Sequence, residues 1–155
     1  MKKIQTKIID FLNENNSSKK VYRGIGDRVN IMYGDGTDEG MGVFWTDNLI
    51  MAKWFAGMVD YNPTTERYEQ ISDNGKILEK HITFNKPYIV DETHEEYDAD
   101  NFYDSFQIYI EIIKEYGGVE SFRIFLLNSG YDGIILKGCT TNYYNDGACT
   151  IFIEL

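Results

Sequence analysis

Tyr22-Arg23-Gly24 is the first run in the chain whose residue types suit chemistry. An Arg beside a Gly at a strand end presents a planar fork of N–H donors that matches a diphosphate or a ribose. Gly24, lacking a Cβ, lets the backbone approach a ligand closely. The same pair also occurs as an ordinary surface salt-bridge residue next to a turn, so it carries little weight alone. The second run is Gly42-Val43-Phe44-Trp45-Thr46-Asp47, followed by Ala52-Lys53-Trp54-Phe55-Ala56. The Thr46 hydroxyl is suited to capping a helix, to facing a ligand, or to both. Trp45 and Trp54 offer flat apolar walls to a ring-shaped ligand, or plain aromatic packing between a core strand and a capped helix.

Three further runs follow: Asn85-Lys86-Pro87 between two apolar stretches, Gly130-Tyr131-Asp132-Gly133-Ile134-Ile135, and Asn145-Asp146-Gly147-Ala148 before the apolar Cys149 to Ile153. Asp132 sits in a turn, where Asp commonly bonds to nearby backbone. His81 belongs to one face of a strand, and His94 has only the acidic run from Glu92 to Asp100 for company. Neither stands at a recognised metal-ligand spacing, so no metal site is expected. Cys139 and Cys149 show neither zinc spacing nor a disulfide framework and are expected as reduced thiols.

These residues have to be positioned by a small set of elements. Ile4, Ile8, Ile9 and Phe11-Leu12 recur at helical spacing and predict an amphipathic first helix, ended by the polar run Asn13 to Ser18. Val21 to Ile25 and Val43 to Trp45 predict short strands, with a Gly- and Asp-rich loop from Gly26 to Gly42 between them. Thr46-Asp47-Asn48 supplies an N-cap for a helix that ends at Gly57. Asp60 to Asn74 is polar, contains Pro63, and is expected as a long surface loop. Lys76 to Phe84 alternates as a strand, and Tyr88-Ile89-Val90 makes another after Pro87. The acidic stretch Asp91 to Asp104 reads as loop or as the start of the next helix, and its run from Glu92 to Asp100 is expected as a solvated face. Phe106, Ile110 and Ile113 predict a helix ending at Gly117-Gly118, and Phe122 to Leu127 another, closed by Ser129-Gly130. Strands at Ile134 to Leu136 and Ala148 to Ile153 complete the set, separated by a loop from Gly138 to Gly147. Strands and helices mix without strict alternation, which favours α+β over a parallel doubly wound sheet. No Gly-rich phosphate loop is present.

The chain has 155 residues, consistent with one core and a single domain over 1–155. Aromatics at 15% argue against long disordered stretches. The formal net charge of -10 disfavours binding to phosphate backbones or anionic membranes, so a partner protein with a basic surface is the better match. No stretch is apolar for long enough to span a bilayer, and Met1 to Asp10 lacks an uninterrupted apolar segment of the secretory kind, so a cytoplasmic location is expected.

The order of the five runs resembles the ADP-ribosyltransferase superfamily, especially its small bacterial and phage members. The resemblance runs from about Val21 to Phe152. It implies an α+β fold of split mixed and antiparallel sheets with flanking helices. It implies NAD as substrate and transfer of ADP-ribose to a side chain of a partner protein, as by a phage or bacterial effector. Arg23 matches the family's first-strand Arg, which contacts ribose and phosphate, with Tyr22 and Gly24 flanking it. Thr46 matches the hydroxyl of the second motif, and Trp45 or Trp54 would wall the nicotinamide pocket. The family often carries a Glu directly before its last strand. Here that position is Ala148, so Asp146, two residues earlier, is the expected catalytic carboxylate and Glu154, at the far end of the strand, a poorer candidate. Gly147-Ala148-Cys149 is similar to the run that opens the last strand of an anti-CRISPR member of the family. The departure at Ala148 leaves open a non-catalytic acidic binding protein on the same scaffold, which would occupy a basic surface of a nucleic-acid-handling protein.

Overall fold

A computed structural model of the chain describes residues 18–26, 40–91, 105–139 and 149–155. The amphipathic segment Ile4 to Leu12, most of the loop after Gly26, His94 with the acidic run around it, and Asp146 lie outside the described residues. The elements are β1 (Lys19–Ile25), β2 (Val43–Thr46), α1 (Leu49–Phe55), β3 (Val59–Asn62), β4 (Arg67–Gln70), β5 (Lys76–Ile82), β6 (Pro87–Val90), α2 (Ser105–Glu115), α3 (Val119–Asn128), β7 (Gly133–Cys139) and β8 (Cys149–Glu154). Six strands form one sheet in the order β5-β1-β2-β8-β7-β6, and β3-β4 form a separate hairpin. The β6–β7 pair is parallel and the other pairs are antiparallel, so the class is α+β with a mixed sheet. A parallel pair needs a long crossover, and α2 and α3 lie within the one between β6 and β7.

Apolar side chains cover both faces of the sheet, which is why β7 and β8 carry unbroken apolar runs. On one face Phe44, Val90, Ile134, Leu136, Ile151 and Ile153 meet α2 and α3. The helix α2 contributes Ile108, Tyr109, Ile112 and Ile113, at the i, i+3/i+4 spacing of one buried stripe, and α3 contributes Phe122 and Leu126. On the other face Val21, Trp45, Ile82, Phe84, Ile135 and Phe152 form a second cluster. Each large apolar side chain buried this way contributes about 1.5–3 kcal/mol.

The helices end where the glycines fall. Gly57, Gly117 and Gly130 have φ of 73°, 86° and 83°. In each case the next residue's N–H reaches back five residues around the turn: Met58 to Lys53 O, Gly118 to Ile113 O and Tyr131 to Leu126 O, at 2.9, 2.9 and 3.0 Å. This closing motif needs a left-handed residue at the turn, which glycine adopts without penalty. No helix of the described residues is long and apolar enough to cross a membrane.

The polar stretch Asp60 to Asn74, expected as a loop, contains the β3–β4 hairpin. Tyr61 and Tyr68 are register partners with ring centroids 5.3 Å apart. The turn between them is held by side chains. Asn62 Nδ2 donates to Glu69 Oε2 at 3.1 Å, Thr65 Oγ1 donates to Glu69 Oε1 at 2.8 Å, and Thr64 N–H donates to Asn62 Oδ1 at 2.9 Å. The two bonds to Glu69, that from Asn62 foremost, hold its exposed carboxyl below the ordinary pKa. β3 and β4 are four residues each, with Val59, Tyr61 and Tyr68 their only apolar or aromatic positions, so the alternation is too short to stand out from its polar neighbours.

Candidate functional site

The strands β1 and β2 meet at a single register pair, Tyr22↔Thr46. By contrast β1 pairs with β5 along its whole length, and β2 pairs with β8 along its own. The sheet is therefore close to splitting between β1 and β2. Arg23 bridges the weak seam: its Nη1 donates to the Phe44 carbonyl at 2.9 Å. A charged donor of one strand thus reaches a backbone carbonyl of the other across the seam. The bond uses one of five guanidinium N–H donors.

A cleft opens at this seam. It is lined by Tyr22, Arg23 and Gly24 of β1, Phe44, Trp45 and Thr46 of β2, Met51, Ala52 and Phe55 of α1, together with Gly42 and Ile151. The space between these walls, open solvent included, comes to about 530 Å³. Five of the seven expected site residues thus converge: Tyr22, Arg23, Gly24, Trp45 and Thr46. Trp54 does not line the cleft. Its ring stands edge-on to that of Phe55, with centroids 5.3 Å apart, and Phe55 is the α1 aromatic that does line it. Asp146 lies outside the described residues.

Two of the convergent residues carry structural work, that of Thr46 at the helix start expected from the sequence and that of Gly24 not. A Cβ on Gly24 would sit 1.9 Å from the Ala52 carbonyl oxygen and 2.9 Å from Ala56 N. Gly24 therefore admits the backbone of α1, whereas the sequence reading gave it to a ligand. Gly26 and Gly75 do the same toward Ala56, with 2.1 and 2.4 Å to its carbonyl oxygen. Thr46 is buried, and its Oγ1 accepts the Asn48 N–H at 3.1 Å. The cap of α1 is Asn48, whose Oδ1 accepts from Met51 N at 3.1 Å. Asp47 Oδ1 accepts the Thr150 N–H at 2.9 Å, and its own N–H donates to Thr150 O at 3.3 Å. The start of β8 is tied by this exchange to the cleft end of β2.

Glu154, set aside in the sequence as lying at the wrong end of the last strand, is tied to the cleft wall. Its Oε1 accepts from Trp45 Nε1 at 2.7 Å and from Lys80 Nζ at 2.5 Å. The Lys80 ammonium lies 4.9 Å from the centre of the Trp45 ring. These residues come from β2, β5 and β8, and no local spacing in the sequence links them. Met51 and Phe55, also unforeseen in the lining, are four apart on α1 and so share a helix face.

The third and fourth runs, around Lys86 and Asp132, form a clamp that does not line the cleft. Asp132 accepts from Asn85 N at 2.6 Å and from Lys86 N at 2.9 Å, and its own N–H donates to Lys86 O at 3.0 Å. Lys86 Nζ donates to Ser129 O at 2.6 Å and lies 4.6 Å from the centre of the Tyr131 ring. Gly133 leaves room for the Phe84 ring, whose atoms would come within 2.4 Å of an added Cβ. The Asn85-Lys86-Pro87 turn and the Gly130 to Gly133 turn are thus one structural unit. Cys139 and Cys149 are buried thiols not joined in a disulfide, register partners on β7 and β8, and Cys149 Sγ lies 3.4 Å from Met51 Sδ. His81 is exposed on β5. Among the described residues no group of His, Cys, Asp and Glu is placed to hold a metal ion. No family model, curated protein or solved structure matches the chain.

Proposed function

We propose that the cleft at the β1–β2 seam binds NAD and that the protein transfers ADP-ribose to a side chain of a partner protein with a basic surface. The observation that supports this reading is the convergence on one cleft of Arg23, Tyr22, Trp45 and Thr46, residues from two strands joined by a single register pair. Arg23 would hold the diphosphate with the donors that Phe44 leaves over. In the transfer, the bond between the nicotinamide nitrogen and ribose C1′ breaks and nicotinamide leaves with the electron pair. A lone pair on the acceptor side chain then attacks C1′ and the acceptor loses a proton. Positive charge develops on the ribose on the way, and Asp146 is the carboxylate proposed to stabilise it.

Nicotinamide release in the presence of a partner protein tests the reaction. Asp146→Ala is expected to lower turnover by about 100-fold or more while NAD binding changes by less than about threefold, because the carboxylate acts on charge that exists only in the transition state. Unchanged turnover in Asp146→Ala would remove that residue from the chemistry.

A second reading, a non-catalytic acidic binding protein on this scaffold, is favoured by one observation. Arg23 and Gly24 already have structural roles, the first as a strut to Phe44 and the second as the seat of α1. Absence of NAD binding by the wild-type protein, with loss of fold in Arg23→Ala, would support that second reading.

A further inference from the structure

The two cysteines of the chain are brought together by an irregularity in β7. On that strand Ile134 and Leu136 face the helices, while Ile135 faces the second cluster. Strict alternation would send Cys139 to the side of Ile135. Cys149 lies on the other side, with Ile151 and Ile153. An extra residue corrects the mismatch. Lys137 pairs with Thr150 and Cys139 with Cys149, so Gly138 and Cys139 together oppose Cys149. Gly138 has φ of 82°, and an added Cβ would meet nothing within 4 Å, so the bulge needs glycine for its backbone conformation and not for space. The bulge returns Cys139 to the helix side, 1% exposed, opposite Cys149 at 2%. Directly opposed residues of antiparallel strands have Cα atoms about 4.5–5.5 Å apart, inside the span of about 4.4–6.8 Å that a disulfide bridges. Cys149 Sγ already leans toward β7, 3.3 Å from the Cys139 carbonyl oxygen, and Met51 Sδ of α1 stands 3.4 Å from it. The one S–H of Cys149 therefore has two acceptors in reach.

We propose that Cys139 and Cys149 are a reversible dithiol–disulfide pair, closed by a low-molecular-weight disulfide acting as oxidant. One cysteine thiolate attacks a sulfur of the oxidant, which gives a mixed disulfide and releases one small thiol. The second cysteine thiolate attacks the protein sulfur of that mixed disulfide and releases the other small thiol. The Cys139–Cys149 bond forms and the oxidant's S–S bond is broken. The oxidant's two sulfurs take up the two electrons and the two protons that the cysteines give up. Both thiols are buried, so attack requires opening of the strand ends. Cys139 is the last residue of β7 and Cys149 the first of β8, where a sheet opens most readily. Closure turns Cys149 Sγ toward Cys139 and away from Met51, which lines the cleft. The redox state of the pair thereby reaches the cleft wall. What it does to a ligand there rests on the NAD reading above; the disulfide does not.

The experiment equilibrates the full reduced chain with oxidised glutathione under native conditions, stops exchange with acid, unfolds the protein in an alkylating agent and measures its intact mass. The expected result is a mass lower than that of the reduced chain by two hydrogens, with neither thiol alkylated. Proteolysis should give a peptide linked through Cys139 and Cys149, and excess reduced glutathione should restore both thiols. Cys139→Ser and Cys149→Ser should each stop at the glutathione adduct. Two alkylated thiols in the wild type, a glutathione adduct that goes no further, or a bond between two chains overturns the proposal. The effect on the cleft wall is read by NMR from isotope-labelled methionine methyl groups, with the Met51 signal assigned by its loss in Met51→Leu. That signal should move when the disulfide closes and should not respond to the same treatment in a variant with both cysteines changed to serine. A Met51 signal unmoved by closure overturns the link to the cleft.

Discussion

Replacing Gly24 with Ala separates a packing role from a ligand role at the centre of the cleft. The added Cβ would meet the Ala52 carbonyl oxygen at 1.9 Å, Ala52 C at 2.9 Å and Ala56 N at 2.9 Å. All three are backbone atoms of α1 or its cap, so no rotamer change relieves the clash. The helix has to move away, and a retreat of about 1 Å forfeits up to about half of the dispersion energy at each contact it carries. The buried Met51 and Ala52 go with it. Overpacking a well-filled site costs about 1–3 kcal/mol, and a clash with backbone belongs at the upper end. For a chain of this length about 3 kcal/mol lowers Tm by roughly 6–12 °C. Thermal unfolding followed by circular dichroism at equal protein concentration measures it. Gly133→Ala supplies the contrast, since its clash is with the Phe84 ring, and pairing it with Phe84→Leu should recover most of the loss. A Gly24→Ala protein that melts within about 2 °C of wild type would refute the packing argument. If that stable variant also lost NAD binding, Gly24 would return to the ligand role its neighbours suggested.

Two further outcomes follow from the clamp and the hairpin. Asp132→Ala removes an acceptor for the Asn85 and Lys86 N–H groups and is expected to cost about 2 kcal/mol, read as a lower urea midpoint with an unchanged slope; a midpoint equal to wild type would show that water replaces the carboxylate without loss. The Glu69 carboxyl has its pKa lowered in the folded hairpin, by Asn62 first and Thr65 second. Its contribution is therefore present above the pKa of an unfolded Glu and is lost as pH falls through the depressed folded value. Carboxyl chemical shifts of Glu69 against pH should show a midpoint below that of a free Glu, and Asn62→Ala should move it back up; no movement in that variant would contradict the assignment of the main cause.

Much of the scaffold is legible in the sequence because its signals are local. The three helix ends fall at Gly57, Gly117 and Gly130 because the turn after a helix favours a residue with positive φ. The strands of β7 and β8 read as apolar runs because both their faces are covered. The β3–β4 hairpin is missed because its cross-strand contacts are Tyr with Tyr and side chain with turn. The cleft is half legible. Arg23 and Thr46 stand out as types, yet only the register pair Tyr22↔Thr46 brings them to one place. The seat that Gly24 makes for α1 and the bond from Trp45 to Glu154 are contacts between residues 28 and 109 positions apart, and no spacing rule reaches across such distances. The two turns around Lys86 and Asp132 were visible as separate motifs, and their union needed the fold.

The NAD-binding claim is tested most directly by isothermal titration of the wild-type protein with NAD, repeated with Arg23→Lys. Lysine keeps a charge and an N–H donor that suits the Phe44 carbonyl, so the fold is preserved, but it lacks the planar fork. Saturable binding by wild type, weakened at least about tenfold in Arg23→Lys for the loss of a charge-assisted bond, is the result expected of an NAD cleft built on Arg23. Equal affinity in the two proteins, or no saturable binding by the folded wild type at millimolar NAD, would contradict it.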